Sequence, residues 1–245
     1  MKGRILIKKG DELQVLSSRP YNAEFDLQVL LEEHPELIPG DQINPEEPLS
    51  FVLLRREKSV GSGKGSGSID LLFVDQNGVL TFVETKLYRN PEARREVIGQ
   101  LLEYPANALE LWDEGEVREK AVEFWERKGR NLDEMLQTEL GIEDVESFWS
   151  EVEQNFKQGK VRLIIAADEL RPEVRRVIEF LNSKMEDVEV LGLEISLYGN
   201  EEFSAFVPRL IGQTQAIVDR KQRGKEQSWT YSTLKEAYES LLDAD

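Results

Sequence analysis

The spacing of apolar residues changes from segment to segment along the chain, and each spacing predicts a kind of element. A helix is expected over about 23–33, with Asn22 as its cap and Pro35 helping to end it, followed by a strand over 49–54. The run of glycine and serine over 61–68 reads as a flexible loop. It is not a phosphate-binding loop, because no helix follows it and no GK[ST] triplet is in place. Two short apolar runs rich in branched and aromatic residues, 69–74 and 79–87, flank Asp75, Gln76, Asn77 and Gly78, so they are expected to form a hairpin of buried strands. Asn90 and Pro91 then supply the cap and first position of another helix.

The stretch 113–158 reads as wholly helical. Asn131 with Glu134 gives a cap signal, Gly141 and Gly159 are stops, and Leu132, Met135, Leu136, Leu140, Val145, Phe148, Val152 and Phe156 recur at helical spacing. This is expected to be a helical insertion with Trp125, Phe148, Trp149 and Phe156 in its own core. A strand over 161–166, a helix over 172–184 and strands over 188–197 and 203–207 complete the pattern. Strands apolar on both faces need helices on both sides, so the expected class is α/β, a mixed sheet flanked by helices. Residues 1–215 read as one domain carrying the insertion. Residues 216–245 read as a basic linker, 220–225, and an appended amphipathic helix near 231–242.

Composition narrows the chemistry. A chain of 245 residues, 40% hydrophobic and 32% charged, suits one embellished domain or two small ones. No apolar run approaches the ~18 residues of a membrane span, and the start does not resemble a signal peptide, so a cytoplasmic protein without membrane partners is expected. The absence of cysteine and the single His34 exclude disulfides, thiolate zinc sites and a Ser/His triad, leaving any metal to carboxylates. His34, at a helix end beside Pro35, reads as a capping or surface residue. The net charge of −17 argues against a broad basic surface, yet 51–110 holds eight basic and eight acidic residues and is a neutral segment in an acidic chain.

That segment also holds the unusual carboxylates. Asp70 interrupts an apolar strand, where an unpaired charge would cost several kcal/mol. Strand alternation puts Glu84 and Lys86 on one face with Phe82. A two-residue Asn77-Gly78 loop would pair 70 with 85. A three-residue loop with Gly78 left-handed pairs 70 with 84, bringing the two carboxylates to a Cβ separation of about 4.5–5.5 Å. Acids that close require a shared proton or a cation, and all-oxygen ligands suit Mg²⁺ or Mn²⁺. On the first helix, Glu24 faces away from the solvated Asp26 and Glu33 and can point inward, with Glu32 the second choice. After the hairpin, Gln100 and Tyr104 share a helix face beside Val97 and Leu101, and Pro105 predicts a kink or restart just after Tyr104. Arg94 and Arg95 are the nearest candidates for phosphate contact.

Taken in order, Glu24, Asp70, the Glu84-Thr85-Lys86 triplet, and Gln100 with Tyr104 resemble the motifs of the PD-(D/E)XK nuclease superfamily, in its RecB-like Gln-x-x-x-Tyr variant. The resemblance spans about 20–110 and implies a restriction-endonuclease-like αβββαβ core. It further implies that Asp70, Glu84 and the Thr85 carbonyl hold Mg²⁺ or Mn²⁺, with Glu24 reaching the ion directly or through water. The metal would activate a water and stabilise charge on the scissile phosphate of DNA. Lys86 would orient or help deprotonate that water, and Gln100 and Tyr104 would position the phosphate or the water shell. The expected activity is metal-dependent phosphodiester hydrolysis leaving a 5′-phosphate. The alternative is a nuclease-derived nucleic-acid-binding or assembly module, and a homodimer or larger assembly is a possible setting.

Overall fold

The computed structural model describes residues 3–56, 69–89, 93–185 and 187–213. The run 61–68, the Asn90–Pro91 cap and the tail read as a linker and helix lie outside the described residues. Residues 1–212 form one compact unit. Among the described residues no helix is long and apolar enough to cross a membrane.

The architecture is α/β. Strands β1 (Arg4–Lys9), β2 (Glu12–Arg19), β3 (Phe51–Arg56), β4 (Leu71–Asp75), β5 (Leu80–Lys86), β6 (Val161–Ala167), β7 (Val188–Gly199) and β8 (Ser204–Ile211) build one mixed sheet. Its order is β1-β2-β7-β6-β5-β4-β3, with β8 paired to β7. β3, β4 and β5 form an antiparallel meander, whereas β6 runs parallel to β5 and β7 parallel to β6. β4 and β6 are buried at every position. Their branched and aromatic residues suit strands covered on both faces.

The cover comes from α1 (Glu24–Glu33), the four-residue α2 (Gly40–Ile43), α3 (Ala93–Leu111), α4 (Glu116–Glu126), α5 (Leu132–Leu140), α6 (Val145–Lys157) and α7 (Pro172–Lys184). The expected signals act locally: the Asn131 side chain accepts from the amides of Asp133 and Glu134, and Gly141 ends α5 at φ +71°. The helices over 116–157 are not a subdomain with a separate core. Trp125, Phe148, Trp149 and Phe156 belong to the same continuous core as the strands. The indole N–H of Trp125 donates to the Leu53 carbonyl at 2.7 Å, and the rings of Trp112 and Phe156 each stand 6.3 Å from that of Phe82. An amphipathic face records that a helix covers something, not which surface it covers.

Two local expectations are corrected. The cap of α1 is Ala23, with Asp26 reaching back to accept from the amides of Asn22 and Ala23 at 3.0 and 3.2 Å, so Asn22 contributes backbone and not its side chain. α3 continues through Pro105 without a restart. The opening segment is a full hairpin, β1–β2, that joins β7 from Ser17↔Gly199 to Arg19↔Leu197.

The hairpin of β4 and β5 has the three-residue loop. Gly78 is left-handed at φ +67°, its amide donates to the Asp75 carbonyl at 3.0 Å, and the Asp75 amide donates to Val79 at 3.3 Å. The ladder runs from Val74↔Leu80 to Leu71↔Val83, so the next pair outward is Asp70 opposite Glu84. One residue of loop length thereby decides which acid faces which.

Candidate functional site

The site lies where β5 ends, facing the beginning of β4. Strand alternation sets Phe82, Glu84 and Lys86 on one face, and Lys86 Nζ reaches Glu84 Oε1 at 2.8 Å. Glu84 is only 3% exposed. Its second oxygen, Oε2, is buried with no hydrogen-bond partner among the described residues. Asp70 is tied to the neighbouring strand: its Oδ2 accepts from the Thr85 amide at 2.8 Å and the Thr85 hydroxyl at 2.7 Å. Gln28 of α1 donates to the same hydroxyl at 3.1 Å, so a chain of contacts runs Gln28 to Thr85 to Asp70. Glu24, one turn earlier on α1, accepts from the Leu87 amide at 3.2 Å.

The electrostatics follow from this packing. Glu84 has its pKa pushed up from 4.5 to about 7, first by burial and then by the Asp70 charge, with Glu24 adding and Lys86 opposing. For Lys86, burial acts to lower the pKa, but Glu84, Glu24 and Asp70 together outweigh it and hold it above the ordinary lysine value. Lys86 therefore stays protonated at neutral pH. Lys86 thus stands among three acids, Glu84, Glu24 and Asp70.

Glu24, Asp70, Thr85, Glu84 and Lys86 are thus brought together. Glu32, the other helix-1 candidate, is turned elsewhere, pairing with Arg56 at 2.6 Å and with Lys128. Gln100 lies on α3 with its side chain exposed. The backbone of Tyr104 belongs to α3, but its side chain, like those of Arg94 and Arg95, lies outside the described residues. His34 ends α1 at the surface and pairs with Glu36 at 2.9 Å.

Two neighbours had not been singled out. Asp168, just past β6, accepts from the Tyr88 amide at 2.7 Å. The Tyr21 hydroxyl donates to the Ile195 carbonyl at 3.1 Å, and its pKa is raised by burial and by Asp168. Asp168 follows the apolar run 161–167 much as Asp70 precedes another, and a lone acid abutting a buried strand was the signal available for it. Asp70, Glu24 and Asp168 thus hold the amides of Thr85, Leu87 and Tyr88, and the end of β5 is fixed by carboxylates.

The donors are all oxygen, which suits Mg²⁺ or Mn²⁺, and the unsatisfied Glu84 Oε2 is the atom a hard cation would complete. Among the described residues, however, no group of three His, Cys, Asp or Glu side chains is gathered closely enough to hold a metal ion as it stands. Comparisons of the chain with protein-family models, curated proteins and solved structures yield no match.

Proposed function

We propose that the chain is a divalent-metal-dependent nuclease that hydrolyses phosphodiester bonds of DNA on a restriction-endonuclease-like core. The observation that carries this reading is the coupled group Asp70, Glu84 and Glu24 around Lys86, with one buried carboxylate oxygen unsatisfied. The layout of the sheet supports it: an antiparallel meander β3–β4–β5 follows α1, and a helical crossover leads to the parallel β6.

Asp70 and Glu84 would hold Mg²⁺ or Mn²⁺, with Glu24 and the Thr85 carbonyl as further oxygen donors. The bound ion would supply Lewis-acid polarisation of the phosphodiester and of the attacking water. Lys86, kept protonated by its neighbours, serves as a positive charge and hydrogen-bond donor toward the phosphate and not as a base. Thr85, pinned between Asp70 and Gln28, fixes the orientation of Asp70. Phe82, on the same face of β5 as Glu84 and itself packed against Trp112 and Phe156, gives that acid an apolar neighbour on its own strand.

A second reading has its own observation. Asp70 and Glu24 already bind backbone amides, and the described acids form no ready-made cage, as in a nuclease-derived binding or assembly module without cleavage of its own.

Calorimetric titration of Mg²⁺ and Mn²⁺ into the wild type and Asp70→Ala, with cleavage assays on linear, nicked, flap and single-stranded DNA, separates the two. The nuclease reading expects binding and cleavage by the wild type and neither by the variant. Metal binding without cleavage on any substrate would favour the module. If neither protein binds metal, the acids are structural and the nuclease reading is overturned.

A further inference from the structure

Tyr88 stands two residues past Lys86 with its ring outside the core, 40% exposed. An exposed tyrosine is ordinary, but this one is held on three sides. Its amide donates to Asp168 Oδ1 at 2.7 Å, its carbonyl accepts from Arg171 Nη2 at 2.8 Å, and the Arg171 guanidinium lies over its ring, 4.4 Å from the centroid. Lys86 and Ala167 are partners in the β5–β6 ladder, so Asp168 fastens Tyr88 where the two strands end together. The next residue, Arg89, donates to the Asn22 carbonyl at the start of α1. The rim of the site therefore carries a flat ring, a guanidinium over that ring and a second arginine, in a chain whose net charge is −17.

Folding energetics do not account for this arrangement. A ring still 40% exposed gains less from burial than a core ring, and an exposed cation–π contact is worth only about 0.5–1 kcal/mol. Its backbone, however, is clamped at both the amide and the carbonyl, as a preorganised contact surface requires. Ring and guanidinium both stack on nucleobases, at about 1–3 kcal/mol per base on an aromatic platform. Inside a duplex a base is already stacked on both faces and shows the grooves only its edges. Away from a duplex end, a rim ring can meet a base face only when that base is unpaired.

We propose that Tyr88 and Arg171 form a stacking platform for one unpaired nucleobase next to the scissile phosphate, so that the preferred substrate is single-stranded DNA or a frayed or flapped end. This rests on the nuclease reading for the position of the phosphate. The platform itself is testable by binding alone.

The test is fluorescence anisotropy with a labelled twelve-residue oligothymidylate in low salt and EDTA, so that neither metal nor cleavage enters. A strand of equal length with every base replaced by an abasic linker keeps the phosphates and removes the faces, and a blunt duplex is the third probe. Tyr88→Ala should weaken oligothymidylate binding about tenfold, Tyr88→Phe should retain it, and neither should alter binding of the abasic strand. The wild type should bind the single strand more tightly than the duplex. An equal loss on the abasic strand would mean that the ring only braces the loop and would overturn the platform, as would unchanged binding in Tyr88→Ala or a wild-type preference for duplex. Failure of the wild type to cleave any DNA with Mg²⁺ or Mn²⁺, with this binding pattern intact, would sink the nuclease reading and leave the platform standing. Cleavage with no effect of Tyr88→Ala would do the reverse.

Discussion

The same three strands bury charge at both ends, and the two ends are built differently. At one end, Arg162 of β6, 4% exposed, donates to Asp75 at 2.8 Å, to the Thr81 hydroxyl at 3.1 Å and to Glu189 at 2.8 Å. The other oxygen of Asp75 accepts from the amides of Asn77 and Val79 at 3.0 and 3.1 Å. Burial acts to lower the Arg162 pKa, yet the flanking carboxylates hold it above the ordinary arginine value. At the other end, Lys86 offers a compact ammonium to Glu84 at 2.8 Å, one oxygen of that carboxylate is left without a partner among the described residues, and Glu24 and Asp70 act on the same lysine. Both ends set two or more acids against one base, so the count of charges does not separate them. Satisfaction of the hydrogen bonds does: the first end is a closed network, and the second leaves a carboxylate oxygen of Glu84 without a partner among the described residues.

Removing the base at each end should expose that difference most strongly. Arg162→Met leaves Asp75 fully buried beside an apolar side chain, and should cost about 3 to 5 kcal/mol, read as a lower urea midpoint at unchanged slope. Lys86→Met should cost far less stability near neutral pH, because Glu84, at a pKa of about 7, can take up a proton instead. Its loss should appear in cleavage, about 100-fold or more. Equal destabilisation by the two substitutions would show that both networks are structural.

Next in size is the pH dependence. Glu84 has its folded pKa raised from 4.5 to about 7, so between those values the folded state binds more protons than the unfolded chain. Stability contributed by the protonated form is therefore present below about pH 4.5 and lost as pH rises to about 7, on the order of 3 kcal/mol in all. Unfolding at pH 5 and pH 8 should show the wild type losing stability relative to Glu84→Gln. Saturating Mg²⁺ should recover that loss in the wild type only. Parallel pH profiles for the two proteins would mean that Glu84 is not under electrostatic stress.

Gly78→Ala should cost less, about 1 to 2 kcal/mol, since φ of +67° disfavours a side chain and the new Cβ would approach the Val152 amide at 3.2 Å. Because that glycine sets the register opposing Asp70 to Glu84, metal affinity should fall along with stability. Full metal affinity in a destabilised variant would separate the loop from the site.

The site was legible where the physics was local. Loop chemistry at Gln76, Asn77 and Gly78 narrowed the hairpin to two registers, of which the structure has the three-residue one; alternation placed Glu84 with Lys86, and helical spacing turned Glu24 inward and away from Asp26. What escaped was non-local. Arg162 reads as one charge in the apolar run VRLIIAA, and its partners Asp75 and Glu189 lie 87 and 27 residues away. The β1–β2 hairpin escaped because Leu6, Leu13 and Val15 are exposed and Leu16 is the fully buried exception, so its alternation marks only a narrow buried face. Its attachment joins Ser17 to Gly199, 182 residues further along the chain. The helices of 116–157 showed their apolar stripes, but nothing in a stripe says that Trp125 will donate to Leu53.

The smallest stability effect is expected at Gln28, and it probes how firmly the open end is held. Its amide touches the Thr85 hydroxyl, which in turn donates to Asp70, so Gln28→Leu removes one half-buried hydrogen bond at a cost of about 0.5–1 kcal/mol. Outer contacts of this kind orient a carboxylate without touching its ligand, and their loss typically lowers metal affinity about 10- to 100-fold. A small thermal shift with a large loss of Mn²⁺ affinity by calorimetry would mark Gln28 as a positioning residue. Thr85→Val, which breaks the same contact one step closer, should show the larger loss of the two. If both substitutions shift stability but leave Mn²⁺ binding at the wild-type value, the chain from Gln28 to Asp70 serves the fold, and the two ends of the sheet are more alike than their hydrogen bonds suggest.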